Sequence, residues 1–367
     1  MRGRVNMTID GQFGSTGKGL LNAYIGTMFN IDVAVSNAAP NAGHTFDVGE
    51  GKKTVFHLPV SGVLCTDSLI YLCAGAVIDM EVLEKEIRDF NCGGRVFIHP
   101  RAAIVSQHHR DLEQMAESGT TKLASTRKGV GQALAGKVTR DGKTMLVQDY
   151  VAAYPDKMLK SGWRMQEIRL DRLAEENRLI LMEVPQGFDL SVNHGLSYPY
   201  CTSRDITVSS ALNDAGVHPK YLGKVYASIR SFPIRVGNIY DTEGVQLGHS
   251  GPFWPDSDEK TWKDLGKEPE LTTVTKRPRR VATFSFLQYG RMLDIIRPDA
   301  IFLNFMNYFD KEFQADELIT RMTNVENQRN MELPKLFGFG PHVKDVHHNY
   351  EEVEGKLTGV TVCRGKK

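Results

Sequence analysis

Short apolar runs recur along the chain, separated by stretches with helical spacing of their hydrophobic residues. "RVNMTI" from Arg4 predicts a short strand, and a helix is expected to begin near Gly17. Further strand-like runs are "IDVAVS" at 31 to 36, "LIYLCA" at 69 to 74 and "RVFI" at 95 to 98. A helical pattern, "DMEVLEKEIRDF", starts at Asp79. The alternation continues through "RLILMEV" (178 to 184), "KVYASIRSF" (224 to 232), the helix-like "FLQYGRMLDIIR" and "AIFLNF" (300 to 305). Strands alternating with helices predict an α/β fold with a largely parallel central sheet. No internal repeat or low-complexity linker breaks the pattern. A glycine- and proline-rich stretch from about Gly244 to Pro269 is expected at the surface. One elaborated domain covering 1–367 is the expectation.

Composition narrows the partners. The 367 residues carry a formal net charge of +1, so bulk charge draws the chain neither to nucleic acid nor to a membrane surface. The five cysteines, Cys65, Cys73, Cys92, Cys201 and Cys363, lack CxxC spacing. They fit reduced thiols in a cytoplasmic protein better than a disulfide frame or a zinc site. No segment approaches the length of a membrane span. His108-His109 and His347-His348 lack metal-site spacing and are expected at surfaces or helix ends.

The first strand runs into "DGQFGSTGKGLL", Asp10 to Leu21. A glycine-rich turn between strand and helix offers backbone N–H groups to an anion, and Lys18 adds a charge suited to phosphate. The spacing differs from the usual phosphate loop, because five residues rather than four separate Gly11 from Gly17-Lys18. Gly19 also stands where a magnesium-binding hydroxyl would follow the lysine. Ordinary turn chemistry is the alternative reading of the glycines. In the same way, "NAGHT" could be a surface loop, and "KRPRR" a solvated basic turn.

Taken in order, the motifs resemble the adenylosuccinate synthetase family. "GQFGSTGKG", "NAGHT" and "HLPVSG" are similar to its GQWGDEGKGK, NAGHT and HxxPSG. "STRKGVGQALAGKVTR" resembles its TTG-rich phosphate loop, "EVPQGFDLSVNHGLSYPYCTS" its EGxQG…YPxVTS segment, "SFPIRVGN" its TRVG turn and "ELTTVTKRPRRV" its aspartate-binding loop. The resemblance covers nearly the whole chain. It implies the family's fold, a single P-loop-like domain with surface insertions, and a Mg²⁺-dependent ligase.

It also implies a set of site residues. Gly14, Thr16, Gly17, Lys18, Gly19, Gly43, His44, Thr45, Asn307 and Gly340 would bind the nucleoside triphosphate, with Ser15 and Gly43 at the metal. Ser15, Asn41, Ala42, Thr126, Arg140, Gln186, Thr202 and Val236 would bind the purine monophosphate. Arg140 would reach the partner subunit's site in a homodimer. Thr275, Arg277 and Arg279 would bind L-aspartate, the arginines gripping its carboxylates with forked hydrogen bonds. Ser15, Lys18, His44 and Gln186 would carry the chemistry.

Two departures from the family pattern point to a different substrate pair. The family's Asp-Glu doublet, whose aspartate takes the proton from ring nitrogen 1 of IMP, is Ser15-Thr16 here. Serine without a partner is no base near neutral pH. The smaller residue makes room beside carbon 2, where guanine nucleotides carry an amino group, and its hydroxyl can accept a hydrogen bond from that group. The same loop, GSTGKG, marks a viral branch, the N6-succino-2-amino-2′-deoxyadenylate synthases, which couple dGMP to aspartate. The second departure is "LNFMNYFD", where Phe305 and Asn307 replace the lysine and aspartate of a guanine-reading T-K-x-D segment. An amide suits adenine's acceptor and donor better than guanine's two donors, so ATP or dATP is the expected phosphoryl donor. Competing readings are a conventional IMP- and GTP-using synthetase and a catalytically silent nucleotide-binding homologue.

Overall fold

The apolar run Arg4–Asp10 forms the middle of a ten-stranded sheet, seen in a computed structural model that describes residues 1–117, 123, 125–272, 276–353 and 356–360. Across the sheet the strands are Val346–His347, Lys335–Gly338, Ala300–Asn304, Leu222–Arg230, Arg4–Asp10, Leu179–Glu183, Val33–Ser36, Leu69–Leu72, Val96–Ile98 and Trp163–Met165. Neighbours pair in parallel, except that Val346–His347 runs antiparallel to Lys335–Gly338 at one edge. The fold is α/β.

The central strands are covered on both faces, which is why Leu179–Glu183 reads as a nearly continuous apolar run, while Arg4–Asp10 places the small or hydrogen-bonded polar residues Asn6, Thr8 and Asp10 between its apolar ones. Leu179–Glu183 is buried at every position and Arg4–Asp10 at all but its first. Met7, Ile9, Met182, Ile229 and Leu303 join helix residues Tyr289, Met292 and Leu293 in one core cluster. On the other face Leu21, Ile25, Leu181 and Phe302 form a second.

The anticipated helices start where side chains cap them. Asp79 accepts from the Val82 N–H (3.4 Å) ahead of Met80–Asp89. Ser285 accepts from Gln288 (2.8 Å) ahead of Phe286–Ile296. Each cap satisfies an N–H that the helix itself leaves open. The Gly244–Pro269 stretch holds short strand pieces, Gln246–Gly248 and Glu259–Lys260, and is mostly exposed.

Register decides what lies at the carboxyl ends of the strands. Thr8 pairs with Glu183, Glu183 with Ser36, Asp10 with Ser228 and Arg230 with Asn304. Ser36, Glu183, Asp10, Arg230 and Asn304 therefore close five adjacent parallel strands on one side of the sheet. That is where open parallel sheets bind their ligands.

Candidate active site

A cavity of about 820 Å³ opens over these strand ends. Of the expected residues, Gly14, Ser15, Thr16, Gly17, Lys18, Gly19, Asn41, Ala42, Gly43, His44, Thr45, Thr126, Gln186, Thr202, Val236, Arg279, Asn307 and Gly340 line it. Segments far apart in sequence thus meet at one place. Arg140 does not: it is exposed at the C-terminal end of the helix Val130–Thr139, away from this chain's cavity. That helix occupies much of the stretch expected as a phosphate loop. Arg277 is half-buried beside the cavity, where its N–H donates to the Thr272 hydroxyl (2.9 Å) and closes the loop. Thr275 lies outside the described residues. His109, expected at a surface or a helix end, lies in the first turn of the helix Gln107–Glu117, where it is buried and its Nδ1 accepts from the Ser106 N–H (3.1 Å).

The glycine-rich loop is organised by Asp10, a residue the motif comparison passed over. Its Oδ1 accepts from the N–H groups of Gln12 (3.0 Å) and Gly14 (3.2 Å). Its Oδ2 accepts from the Thr16 N–H (3.3 Å) and hydroxyl (2.6 Å). An aspartate ending an apolar strand just before a glycine turn was the available signal. The Thr16 hydroxyl is also 2.8 Å from Ser228 Oγ, so it holds the loop while the loop's backbone faces the cavity. Gly17 adopts φ 85° as the cap of the helix Lys18–Met28. Gly19 is glycine for lack of space, since a Cβ there would overlap the Thr45 carbonyl. The missing P-loop hydroxyl is thus a consequence of how closely the NAGHT segment crosses the helix.

Lys18 and His44 share a pocket with the buried Glu183. The Glu183 carboxylate accepts from the Val60 N–H (2.9 Å), the Ser61 N–H (2.8 Å), the Ser61 hydroxyl (2.7 Å) and the Asn22 amide (2.7 Å). Burial pushes its pKa up, against those donors and Lys18. Burial lowers the Lys18 pKa, while Asp10 and Glu183 oppose the shift. His44 is held well below the usual histidine range by burial and then by the Lys18 charge, so its imidazole is neutral. Its Nδ1 is 4.0 Å from Glu183, too far for a hydrogen bond. Its Nε2 is buried with no partner among the described residues, as is Oδ1 of Asn41. Orphaned polar atoms lining a cavity are what a ligand would satisfy.

On the other side, the Arg230 guanidinium is fully buried and forks onto Glu270, with Nη2 2.5 Å from Oε1 and Nη1 3.2 Å from Oε2. Tyr308 donates to the same carboxylate (2.6 Å). Burial would raise the Glu270 pKa, but Arg230 and Tyr308 bring it below its ordinary value. Arg279 is lowered to about 10 by burial, with Glu270 opposing. Ser15, Gln186 and Phe305, all at the cavity, adopt left-handed backbone conformations with φ 56°, 68° and 61°. Such conformations cost non-glycine residues of order 1–3 kcal/mol and gather at functional sites.

For a metal, the described residues contain no group of three or more His, Cys, Asp or Glu side chains suited to hold one. The Ser15 hydroxyl and the Gly43 carbonyl are hard oxygen donors at the cavity. This donor set fits Mg²⁺ that keeps most of its ligands from water and phosphates, rather than a cage built by protein. No helix among the described residues is long and apolar enough to cross a membrane.

The strand-end cavity, the phosphate-type loop and the opposing arginine loop define a nucleotide-dependent ligase, and the chain belongs to the adenylosuccinate synthetase family, whose model matches residues 7–153 and 147–363. That family catalyses C–N ligation and uses Mg²⁺ with its nucleotide. Among its relatives, an N6-succino-2-amino-2′-deoxyadenylate synthase of Salmonella phage PMBT28 is 35% identical, covering 94% of this chain and 97% of its own. That of Vibrio phage phiVC8 is 36% identical over 93% and 97%. The solved succinoaminodeoxyadenylate synthetase (PurZ) of cyanophage S-2L, bound to dGMP and to dATP as energy donor, superposes with a TM-score of 0.82. It shares 35% identity, with 94% of this chain and 95% of that one covered. The Plasmodium falciparum adenylosuccinate synthetase shares the fold, with a TM-score of 0.72 at 19% identity over 94% and 99% of the two chains.

Proposed function

We propose that this enzyme joins L-aspartate to carbon 6 of dGMP, with ATP or dATP as phosphoryl donor. The products are N6-succino-2-amino-2′-deoxyadenylate, the nucleoside diphosphate and phosphate. The observation that carries the proposal is Ser15: a short hydroxyl, exposed at the cavity, stands where the family places a carboxylate. It leaves room for the 2-amino group of a guanine nucleotide and offers that group an acceptor.

The chemistry needs a leaving group, because oxide cannot depart from carbon 6. Transfer of the γ-phosphoryl group to oxygen 6, with the nitrogen 1 proton passing to solvent, creates one; the aspartate amine then attacks carbon 6, gives up a proton to solvent, and phosphate leaves. Phosphoryl transfer depends on positioning and on neutralising charge. Lys18 and the loop amides face the phosphates, and the neutral His44 donates from Nε2 to the moving group. Ser15 and Gly43 would hold a Mg²⁺ ion carried by the triphosphate, which would supply charge neutralisation there. Asn41 and Gln186 bind the purine, Thr126, Thr202 and Val236 its phosphate and ribose, and Asn307 reads the donor base. Arg279, with Arg277 and Thr275, takes the carboxylates of aspartate. Arg140 completes the site of a second subunit, making the working unit a homodimer of single-domain chains.

The test is direct. The enzyme is incubated with aspartate, each of ATP, dATP and GTP, and each of dGMP, GMP and IMP, and products are weighed by mass spectrometry. Succinylated product from dGMP with an adenine donor is expected. Product from IMP and GTP alone would make this a conventional adenylosuccinate synthetase, and no product would leave a silent homologue. For the dimer, an Arg140→Ala chain mixed with a Lys18→Ala chain should recover activity that neither has alone. An active monomer would refute that part.

A further inference from the structure

Ser15 is held by more than its own loop. The peptide unit between Ser15 and Thr16 is clamped at both ends by residues from two adjacent strands. Its carbonyl accepts from Arg230 Nη1 (3.2 Å), while its N–H donates to Asp10 Oδ2 (3.3 Å). With the plane of that peptide set, the Ser15 backbone stays at φ 56° and the side chain stands exposed at the cavity. Asp10 is tied to its own loop, but Arg230 answers to the opposite side of the site. Glu270 binds both of its terminal nitrogens, and Tyr308 braces Glu270. The Phe305 ring packs 3.8 Å from the guanidinium, and the Arg230 N–H donates to Gln12 Oε1 (2.9 Å).

Resting on the functional reading above, we propose that Arg230 is a positioning residue: through the Ser15 carbonyl it sets the pose of the Ser15 hydroxyl, and with it the preference for purines bearing a 2-amino group. Arginine suits this place because its planar fork serves a carbonyl and a carboxylate at once. Lysine can keep the charge opposite Glu270 but cannot reproduce the fork. Without the carbonyl contact, Ser15 can relax from the left-handed conformation to the broad negative-φ region that serine prefers. The hydroxyl then leaves the position from which it meets the 2-amino group, whereas IMP, which has no such group, loses only what both purines share at the metal.

A structural role alone would lower turnover of dGMP and IMP together. Positioning moves their ratio. In Arg230→Lys the ratio of kcat/KM for dGMP over IMP should fall by about tenfold, mainly through KM for dGMP. An unchanged ratio in a folded, active variant would overturn the proposal. Should Arg230→Lys not fold, Glu270→Gln keeps the shape and one acceptor. It should lower the same ratio by about threefold, and an unchanged ratio there is equally decisive. If the wild-type enzyme couples IMP and not dGMP, the functional reading fails. Positioning is then judged by a crystal structure of Arg230→Lys, or of Glu270→Gln where the lysine variant does not fold. Ser15 at negative φ upholds it, and Ser15 still near its present φ refutes it.

Discussion

The two walls of the cavity are built in different ways. The wall made by the Ser15 loop, Lys18 and His44 grows from strand ends and is anchored by two buried carboxylates. Asp10 takes four hydrogen bonds from its loop, and Glu183 takes four from residues of two other segments. The wall made by the Glu270–Arg279 loop is anchored, among its described residues, at its ends and across its neck, where the Thr272 N–H donates to the Arg277 carbonyl (2.8 Å). Glu270 is held by Arg230 and Tyr308, the Arg279 N–H donates to the Glu270 carbonyl (2.8 Å), and Trp262 donates to the Arg279 carbonyl (2.7 Å). Leu271, between these anchors, is 53% exposed. In the proposed reaction the first wall serves phosphoryl transfer, which tolerates little misplacement, and the second offers arginines to the carboxylates of aspartate.

The largest expected effect tests the first wall. Lys18→Met should cost about a thousandfold in kcat, as losing a buried charge-stabilising donor does, with KM for aspartate little changed. A loss below tenfold would mean that phosphoryl transfer occurs elsewhere. Damage to the second wall should be confined to one substrate. Arg279→Ala should raise KM for aspartate by about thirtyfold, equivalent to about 2 kcal/mol for a lost forked carboxylate contact, and leave KM for dGMP nearly unchanged. An unchanged aspartate KM would remove the loop from the site.

Ser15 sharpens the comparison from within the first wall. Ser15→Ala keeps the room but loses one acceptor, costing about 1 kcal/mol, or several-fold in kcat/KM for dGMP. Ser15→Asp should lower activity on dGMP by crowding the 2-amino group with a charge that needs compensation, and should gain relative activity on IMP. If Ser15→Asp raises dGMP turnover and leaves the dGMP to IMP ratio untouched, Ser15 does not select the purine. Where the walls meet, Asn307→Asp should shift donor use from ATP toward GTP. The shift is partial because Phe305 remains, and an unchanged ATP to GTP ratio would place base reading elsewhere.

The smallest effect lies outside both walls. Glu86 accepts from the N–H groups of Phe56, His57 and Leu58, yet burial pushes its pKa up to about 7 from 4.5. A carboxyl raised in the folded state contributes stability that is fully present below its unfolded value and lost as pH rises through about 7. Glu86→Gln should therefore remove a downward component of Tm between about pH 5 and 7, measured against the wild type. Parallel pH profiles would show that Glu86 is already ionised in the folded protein.

The runs at Leu69, Leu179 and Ala300 were legible as strands because burial on both faces keeps nearly every position apolar, and Arg4–Asp10 because Val5, Met7 and Ile9 alternate with polar residues. The helices at Met80 and Phe286 were legible from their spacing. Trp163–Met165 and Lys335–Gly338 were not, because each carries a charged residue and lacks the β-branched residues that mark the equally short Val96–Ile98 and Val33–Ser36, and the helix Val130–Thr139 lay under a glycine-containing motif read as loop. The motifs also announced most of the residues that line the cavity, since a phosphate loop depends on chemistry local in sequence.

By itself, then, the sequence determined the α/β alternation, the phosphate-type loop and the exchange of a carboxylate for Ser15, all local properties of a few adjacent residues. Only the tertiary structure decided that Glu183, Arg230, Glu270 and Tyr308 belong to the site. Their partners lie far off in sequence, Asn22 being 161 residues from Glu183 and Ser15 being 215 from Arg230. Glu183 and Arg230 end strands whose apolar pattern says nothing of what stands opposite, and Glu270 follows a polar, mostly exposed stretch that says no more. It is the parallel register of the sheet that brings the strand ends level. The demand that every buried charge be paired then selects what faces them.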